Sequence, residues 1–231
     1  LSINYKSMAT TEFQAFSPNF QADILPLGTD AANRNPYQKF SSYLINLYSR
    51  VKHGQATLES QILLDAGCKR ASKLDFVDPT RLAAIFFSHN HFDHCRFIGL
   101  LIRRLRKAGR NQYIPVELEI FPPNLKSHSK SSRTDYSQVF VMPEIKLGGN
   151  LRLKTKVAPA KHSTSSVAFR LWVFPSNNQK IPLKCIDLVY SPDTSFKSDH
   201  LIPFAKDAIY WMLDSTRHPT FIENCYEKFT R

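Results

Sequence analysis

Cysteine is scarce. The 231 residues hold four (Cys68, Cys95, Cys185 and Cys225), with no Cys-x-x-Cys pair among them. That is too little for a disulfide framework in a chain of this length, and it fits reduced thiols in a cytoplasmic setting. Long hydrophobic runs are also lacking: no stretch approaches the ~18–20 apolar residues of a membrane span, so no membrane partner is expected. The first twenty residues, LSINYKSMATTEFQAFSPNF, show no positive start followed by an apolar block, and so do not read as a secretory signal. Neither an internal repeat nor a long low-complexity segment is visible. Acidic residues are few, 19 against 31 Lys and Arg, which leaves a net charge of +12. Such an excess favours anionic partners such as nucleic acid, phosphate esters or acidic surfaces, although charge of one sign also serves solubility alone.

What is present is core material. At 42% hydrophobic, with 17 Phe and 9 Tyr, the chain can bury one large domain or two small ones. Strand-like runs are read at 22–27, 40–48, 61–64, 82–87, 116–121, 138–142, 151–157, 166–174 and 186–190. Helical periodicity appears over 97–108. There Ile98, Leu101, Ile102 and Leu105 share one face, Arg103 and Lys107 lie opposite with Arg106 flanking them, and Gly109 ends the pattern. Further helices are expected over 123–129, 198–205 and 219–229. Strand-rich halves with helices between them predict an α/β layered sandwich, two sheets covered by helices.

The densest chemistry lies in Ser88-His89-Asn90-His91-Phe92-Asp93-His94, immediately after the apolar run Leu82-Ala83-Ala84-Ile85-Phe86-Phe87. A single His is most often a surface or satisfied core residue. Three of the chain's eight within six positions, beside an Asp and after a strand, are hard to explain as packing. Imidazole nitrogen and carboxylate oxygen suit zinc or another borderline divalent ion. Where the strand opens into a loop, His89 and His91 can point at one ion while Asp93 and His94 point at a second. Two-metal sites hold their ions only about 3.5–4 Å apart and need such crowding. Cys95 follows at once; it reads better as a small apolar residue at a helix start than as a ligand. Two later segments offer further ligands at strand ends, Lys161-His162-Ser163 and Tyr190-Ser191-Pro192-Asp193-Thr194, and a carboxylate placed like Asp193 bridges two cations. Arg152, Lys154 and Lys156 alternate on one face of a strand, either as solvated surface or, with Lys161, as part of a phosphate-backbone groove.

With these segments the chain resembles the metallo-β-lactamase fold superfamily from about residue 23 to 221. Its H-x-H-x-D-H signature stands as His89, His91, Asp93 and His94; Leu63-Leu64-Asp65-Ala66-Gly67 matches the earlier motif; His162 and Asp193 match the later ligands. Within the superfamily the chain is most similar to the phosphodiesterase branch of ribonuclease Z and the phosphonate-operon cyclic phosphodiesterase. Leu27-Gly28-Thr29 with Ser41-Ser42-Tyr43-Leu44-Ile45 resembles that branch's opening strands, and the run from His162 to Leu171 resembles its His…Gly-Tyr-Arg-Ile segment, with Ala168 for Gly. Thioester hydrolases carry Gly before the third-motif His, where Lys161 stands here. Asp30 replaces a usual Gly, and the stretch 175–184 is too short for a tRNA-gripping arm. The segment Leu213-Asp214-Ser215-Thr216-Arg217-His218-Pro219-Thr220 looks more like the cyclic-phosphodiesterase type. The family's last motif His is missing, so residues 21–231 are read as a hydrolase domain lacking its C-terminal end, and 1–20 as an N-terminal extension or fusion remnant in which Met8 is a candidate start. His218 and His200 are the candidate substitutes, with helix capping or substrate contact the other reading of His218.

The resemblance implies a four-layer αββα sandwich with two divalent ions, zinc or, as the alternative, manganese. It assigns His89, His91 and His162 to the first ion and Asp93 and His94 to the second, with Asp193 bridging. Asp65 supports the site from behind. The ions make hydroxide available at neutral pH for in-line attack on phosphorus. Asp93, Asp193 and His218 are the catalytic candidates, and Lys161, Arg170 or His218 the candidates to hold the phosphate or leaving group. The expected partner is a small or cyclic phosphodiester or RNA, and a homodimer is open because many relatives dimerise. The alternatives are a thioester or lactone hydrolase on the same fold, and a non-catalytic nucleic-acid-binding relative.

Overall fold

The computed structural model describes residues 11–13, 20–29, 40–50, 56–68, 70–110, 139–160, 166–176, 186–191 and 199–213. The strand-like runs of the first half become β2 (Phe20–Thr29), β3 (Ser41–Arg50), β4 (Ala56–Leu64) and β5 (Leu82–Phe86). With β1 (Thr11–Phe13), which lies inside the segment read as an extension, they form a sheet in the order β1-β2-β3-β4-β5. Neighbours are antiparallel except β4 and β5, which are parallel. The second half supplies β6 (Phe140–Val141), β7 (Ile145–Lys146), β8 (Leu151–Ala160), β9 (Ser166–Pro175), β10 (Ile186–Ser191) and β11 (Tyr210–Leu213). These form a second sheet in the order β11-β10-β9-β8-β6, with β7 also pairing β8. The expected strand at 116–121 and the helices at 123–129 and 219–229 lie outside the described residues.

Two strands run further than their apolar patterns predict. β4 begins at Ala56 rather than 61, because the polar residues before Gln61 pair with β3. β8 continues past Val157 through Pro159 to Ala160. A proline is tolerated in a strand only where no neighbour needs its missing N–H. β6 pairs only with Lys156 and Val157, and among the described residues no strand lies beside Pro159 on that side.

Alternation sends apolar side chains to both faces of each sheet. Ile24, Ile45, Leu47, Ile62, Leu64 and Phe86 of the first sheet join Leu153, Val157, Phe169, Leu171, Leu188 and Tyr190 of the second in one buried cluster, so the two sheets pack face to face. On its other face the first sheet packs Leu44, Leu63, Leu82 and Ile85 against Leu74 of the 3₁₀ helix Ala71–Phe76 and against Leu101 and Leu105. The last two belong to α2 (Ile98–Lys107), which follows the short α1 (Phe92–Cys95). The periodicity that predicts α2 is borne out: Leu101 and Leu105 are buried, and Gly109 ends the helix at φ +76°. On the other face of the second sheet, Ala158, Ala160, Ala168 and Val189 meet Leu201, Phe204 and Ala205 of α3 (Leu201–Ala205), a shorter helix than the predicted 198–205.

A polar chain on the first sheet fixes the loop before β5. Asn46 donates to Asp23 (2.7 Å), Gln61 donates to Asn46 (2.7 Å), and the Asp78 N–H donates to Gln61 (2.7 Å). The Tyr48 hydroxyl donates to Asp23 as well, and burial together with that carboxylate pushes the phenol up to about 12. Among the described residues no helix is long and apolar enough to cross a membrane, and Cys68 and Cys95 are unpaired thiols.

Candidate metal centre

The His-rich segment lies where the two sheets meet. β5 ends at Phe86 and the chain then turns into α1, so Ser88 to His91 form the connecting loop. Its anchor is Asp65, one residue past β4, with its backbone in the left-handed region at φ +55°. That turn carries the Asp65 side chain under the loop, where it is completely buried. Three backbone bonds lock the approach: Asp65 N–H to Phe86 O (2.8 Å), Ala66 N–H to His94 O (2.7 Å) and Phe97 N–H to Ala66 O (3.1 Å). Gly67 is required by close approach, since a Cβ there would collide with the backbone of Asp93 and His94.

A buried carboxylate must be hydrogen-bonded to persist as an anion, and Asp65 accepts four donors. The Ser88 N–H donates to Oδ1 (2.8 Å), while the Ser88 hydroxyl (2.8 Å), the Tyr190 hydroxyl (2.5 Å) and His94 Nδ1–H (2.7 Å) converge on Oδ2. With its proton given to Asp65, the Ser88 oxygen accepts from His89 Nδ1–H at 3.0 Å. The network therefore assigns the Nδ1 proton to both His89 and His94, which makes Nε2 the lone-pair nitrogen of each ring. The Tyr190 hydroxyl is also 3.0 Å from Ser41 Oγ.

In front of this support the candidate ligands gather. His89 Nε2 is 3.0 Å from His91 Nδ1, the His89 and His94 ring centroids are 4.0 Å apart, and His94 Nε2 is 4.0 Å from an Asp93 carboxylate oxygen. His89 and His94 are each 1% exposed. The four residues of the signature thus lie close together. Among the described residues no group of three or more His, Cys, Asp and Glu is spaced to hold a metal ion. The nearest pair is slightly too close: nitrogens bound at about 2.0–2.1 Å to a tetrahedral zinc stand roughly 3.3 Å apart. The donor set itself fits a divalent ion. It offers borderline ligands whose other ring nitrogens are held by a carboxylate and a hydroxyl, the arrangement that orients ligating imidazoles. His162, Asp193, His218 and Lys161 lie outside the described residues.

Other residues raised by the sequence have different surroundings. Cys95 directs its sulfur to Asn90 O (3.6 Å), and burial, with Asp65 and Asp93 nearby, pushes its thiol up; it is not presented as a ligand. His200 is not a substitute ligand of this cluster. It places Nε2 2.8 Å from Pro159 O and lines a cleft of about 400 Å³ with Lys156, Ala158 and Arg170. Arg170 does not serve as a phosphate holder either. Its guanidinium grips the buried Asp187 through two bonds (2.9 and 3.0 Å) and donates to Phe204 O (2.9 Å) and Lys206 O (2.8 Å). Arg152, Lys154 and Lys156 do share one face of β8. There Lys154 and Lys156 lie over the rings of Phe174 and Trp172, and Arg152 and Lys154 share Glu144, whose carboxyl is held below its usual range chiefly by Lys154.

Sequence reasoning missed Tyr190, the role of Ser88, and Ser41. A faint signal existed for the first, a tyrosine at the end of an apolar strand three residues before Asp193. No signal pointed to the other two, because a serine's partner is set by the opposite strand.

No protein-family model matches the sequence, and no curated protein matches it. Among solved structures the chain is similar to a long form RNase Z from yeast, at a TM-score of 0.54 and 15% sequence identity over 90% of this chain and 34% of that one. This chain therefore spans about a third of that protein's length. At this identity the likeness concerns the fold alone.

Proposed function

We propose that the chain is a metal-dependent hydrolase of the phosphodiesterase type, built on an αββα sandwich whose two covering layers are α2 with the 3₁₀ helix and α3. One observation carries the reading: Asp65 and Ser88 hold the Nδ1 side of His94 and His89, which sets the opposite nitrogens towards His91 and Asp93. His89 and His91 would hold one divalent ion, zinc or manganese, and Asp93 and His94 a second, with His162 and Asp193 completing the sets. Ions held there would supply Lewis-acid polarisation of the phosphodiester and an activated water.

The strand ends support the assignment of the two later ligands. β8 ends two residues before His162 and β10 two before Asp193. Both ends are tied to the loop: β9, paired to the end of β8, donates Val167 N–H to Ser88 O (3.0 Å), and β10 sends Tyr190 to Asp65. The +12 charge and the similarity to a protein named as an RNase favour a phosphate-bearing substrate.

The test is metal content per chain by elemental analysis, with hydrolysis of bis-p-nitrophenyl phosphate and of a thioester before and after chelation. Two ions per chain with chelator-sensitive phosphodiester turnover are expected. Turnover of the thioester alone would favour the thioester hydrolase. Salt-dependent RNA binding without turnover of either would make the chain a non-catalytic binding relative.

A further inference from the structure

Phe92 stands between two candidate ligands, His91 and Asp93, yet its ring is 66% exposed where His89 and His94 are 1% exposed. Exposing a phenyl ring to water is unfavourable by itself, so its position beside a polar centre invites a reason. Four residues on, across α1, Arg96 sets its guanidinium 5.4 Å from the Phe92 ring centroid, 5.2 Å from that of Phe40 and 5.1 Å from that of Phe97. Residues four apart on a helix share a face, which is why Phe92 and Arg96 meet.

Three rings restrain the Arg96 arm without neutralising its charge. Among the described residues no carboxylate pairs with it and no hydrogen bond engages it, whereas Arg104 binds Asp75 and Arg170 binds Asp187. Arg96 is thus an exposed cation whose ordering entropy is already largely lost, with five N–H donors in a fork suited to phosphate.

We propose that Phe92 and Arg96 form a nucleotide subsite at the rim of the candidate centre. The exposed ring stacks on the base next to the scissile phosphodiester, and the guanidinium takes a phosphate of the same strand. The pairing of an aromatic face with a preordered guanidinium is the chemistry by which proteins hold single-stranded nucleic acid, since every base has a π-face and every linkage a charge. This inference rests on the phosphodiesterase reading and specifies its substrate as a nucleoside-bearing diester rather than a small aliphatic one.

Two measurements on the full chain test it. The first compares thymidine 5′-p-nitrophenyl phosphate with methyl p-nitrophenyl phosphate, which differ in the nucleoside. Phe92→Ala and Arg96→Gln are expected to shrink the preference for the thymidine ester about tenfold, mainly through KM, with metal content retained. Phe92→Trp should restore the preference, and Phe76→Ala, which removes an exposed ring beneath Lys73 remote from the loop, should leave it intact. The second measures binding of a fluorescein-labelled oligothymidylate by anisotropy, and here Phe92→Ala should weaken binding by a similar factor. If the parent chain hydrolyses neither ester, the phosphodiesterase reading fails, and the binding measurement alone decides the subsite. A preference and an oligonucleotide affinity both unchanged in Phe92→Ala and Arg96→Gln would overturn the proposal.

Discussion

In the loop and short helix after β5, Ser88, His89 and His94 are buried, and the groups behind the rings converge on one carboxylate. On the outer face of β8, Lys154 and Lys156 are exposed, lean on aromatic rings, and in the case of Lys154 share a glutamate with Arg152. Both regions stand out in the sequence, one as a dense cluster of candidate ligands and the other as a short row of cations. Burial separates them. A polar group removed from water must find its partners in the protein, so its geometry is fixed, whereas an exposed cation is solvated and its contacts are weak and replaceable. Fixed geometry is what a catalytic centre would need, and of these two regions the loop has it.

The largest test of this contrast is Asp65→Ala. It would leave the Ser88, Tyr190 and His94 donors without their common acceptor in a buried site. We expect a loss of at least about 3 kcal/mol in denaturant unfolding together with loss of metal binding, where this variant folds at all. Asp65→Asn, which keeps the shape and some of the acceptor capacity, should fold and still bind metal more weakly; full metal content with parental affinity would break the assignment of Asp65 as the support. Arg170→Ala probes the buried Arg170–Asp187 contact on the outer face of the second sheet. Removing the partner of fully buried Asp187 should destabilise by about 3–5 kcal/mol while the folded protein keeps its metal stoichiometry. A selective loss of metal instead would join the outer face to the centre.

A smaller effect is expected from Tyr190→Phe, which deletes one donor to Asp65 and leaves the ring packed against Tyr43. Metal affinity should fall about tenfold, as seen when groups behind ligating histidines are removed, measured by competition with a chromophoric chelator. Unchanged affinity would confine Tyr190 to packing. The smallest effect belongs to Glu144→Gln on the exposed face. The unfolding midpoint near neutral pH should not move measurably, and a clear shift would show that this surface is more ordered than its exposure implies.

Much of the fold was legible residue by residue. Leu82 to Phe87 read as a buried strand because every residue is apolar, and all but Ala83 and Phe87 are buried; α2 read as a helix because its apolar positions recur on one face. The N-terminal part of β4 was not, since its polar residues carry no periodic signal and are held there by β3. The reach of β8 through Pro159 was hidden for a similar reason: whether a proline is tolerated depends on whether a neighbouring strand lies beside it, and among the described residues none does on the β6 side. Arg170 was misread as a phosphate holder because a lone cation near a motif looks available until Asp187 is seen beside it.

The sequence by itself determined that the candidate ligands lie together, because imidazoles and a carboxylate crowded into six residues after an apolar strand are constrained by chain connectivity to stay close. It also determined the two-sheet layout, since alternation of apolar side chains dictates which faces must be buried. Tertiary structure alone decided what stands behind those candidate ligands. Tyr190 reaches Asp65 across 125 residues, and Ser41 reaches Tyr190 across 149. Such contacts depend on how the two sheets are packed and in what register, and no local pattern encodes the distance between side chains brought together only when two sheets close over a common core.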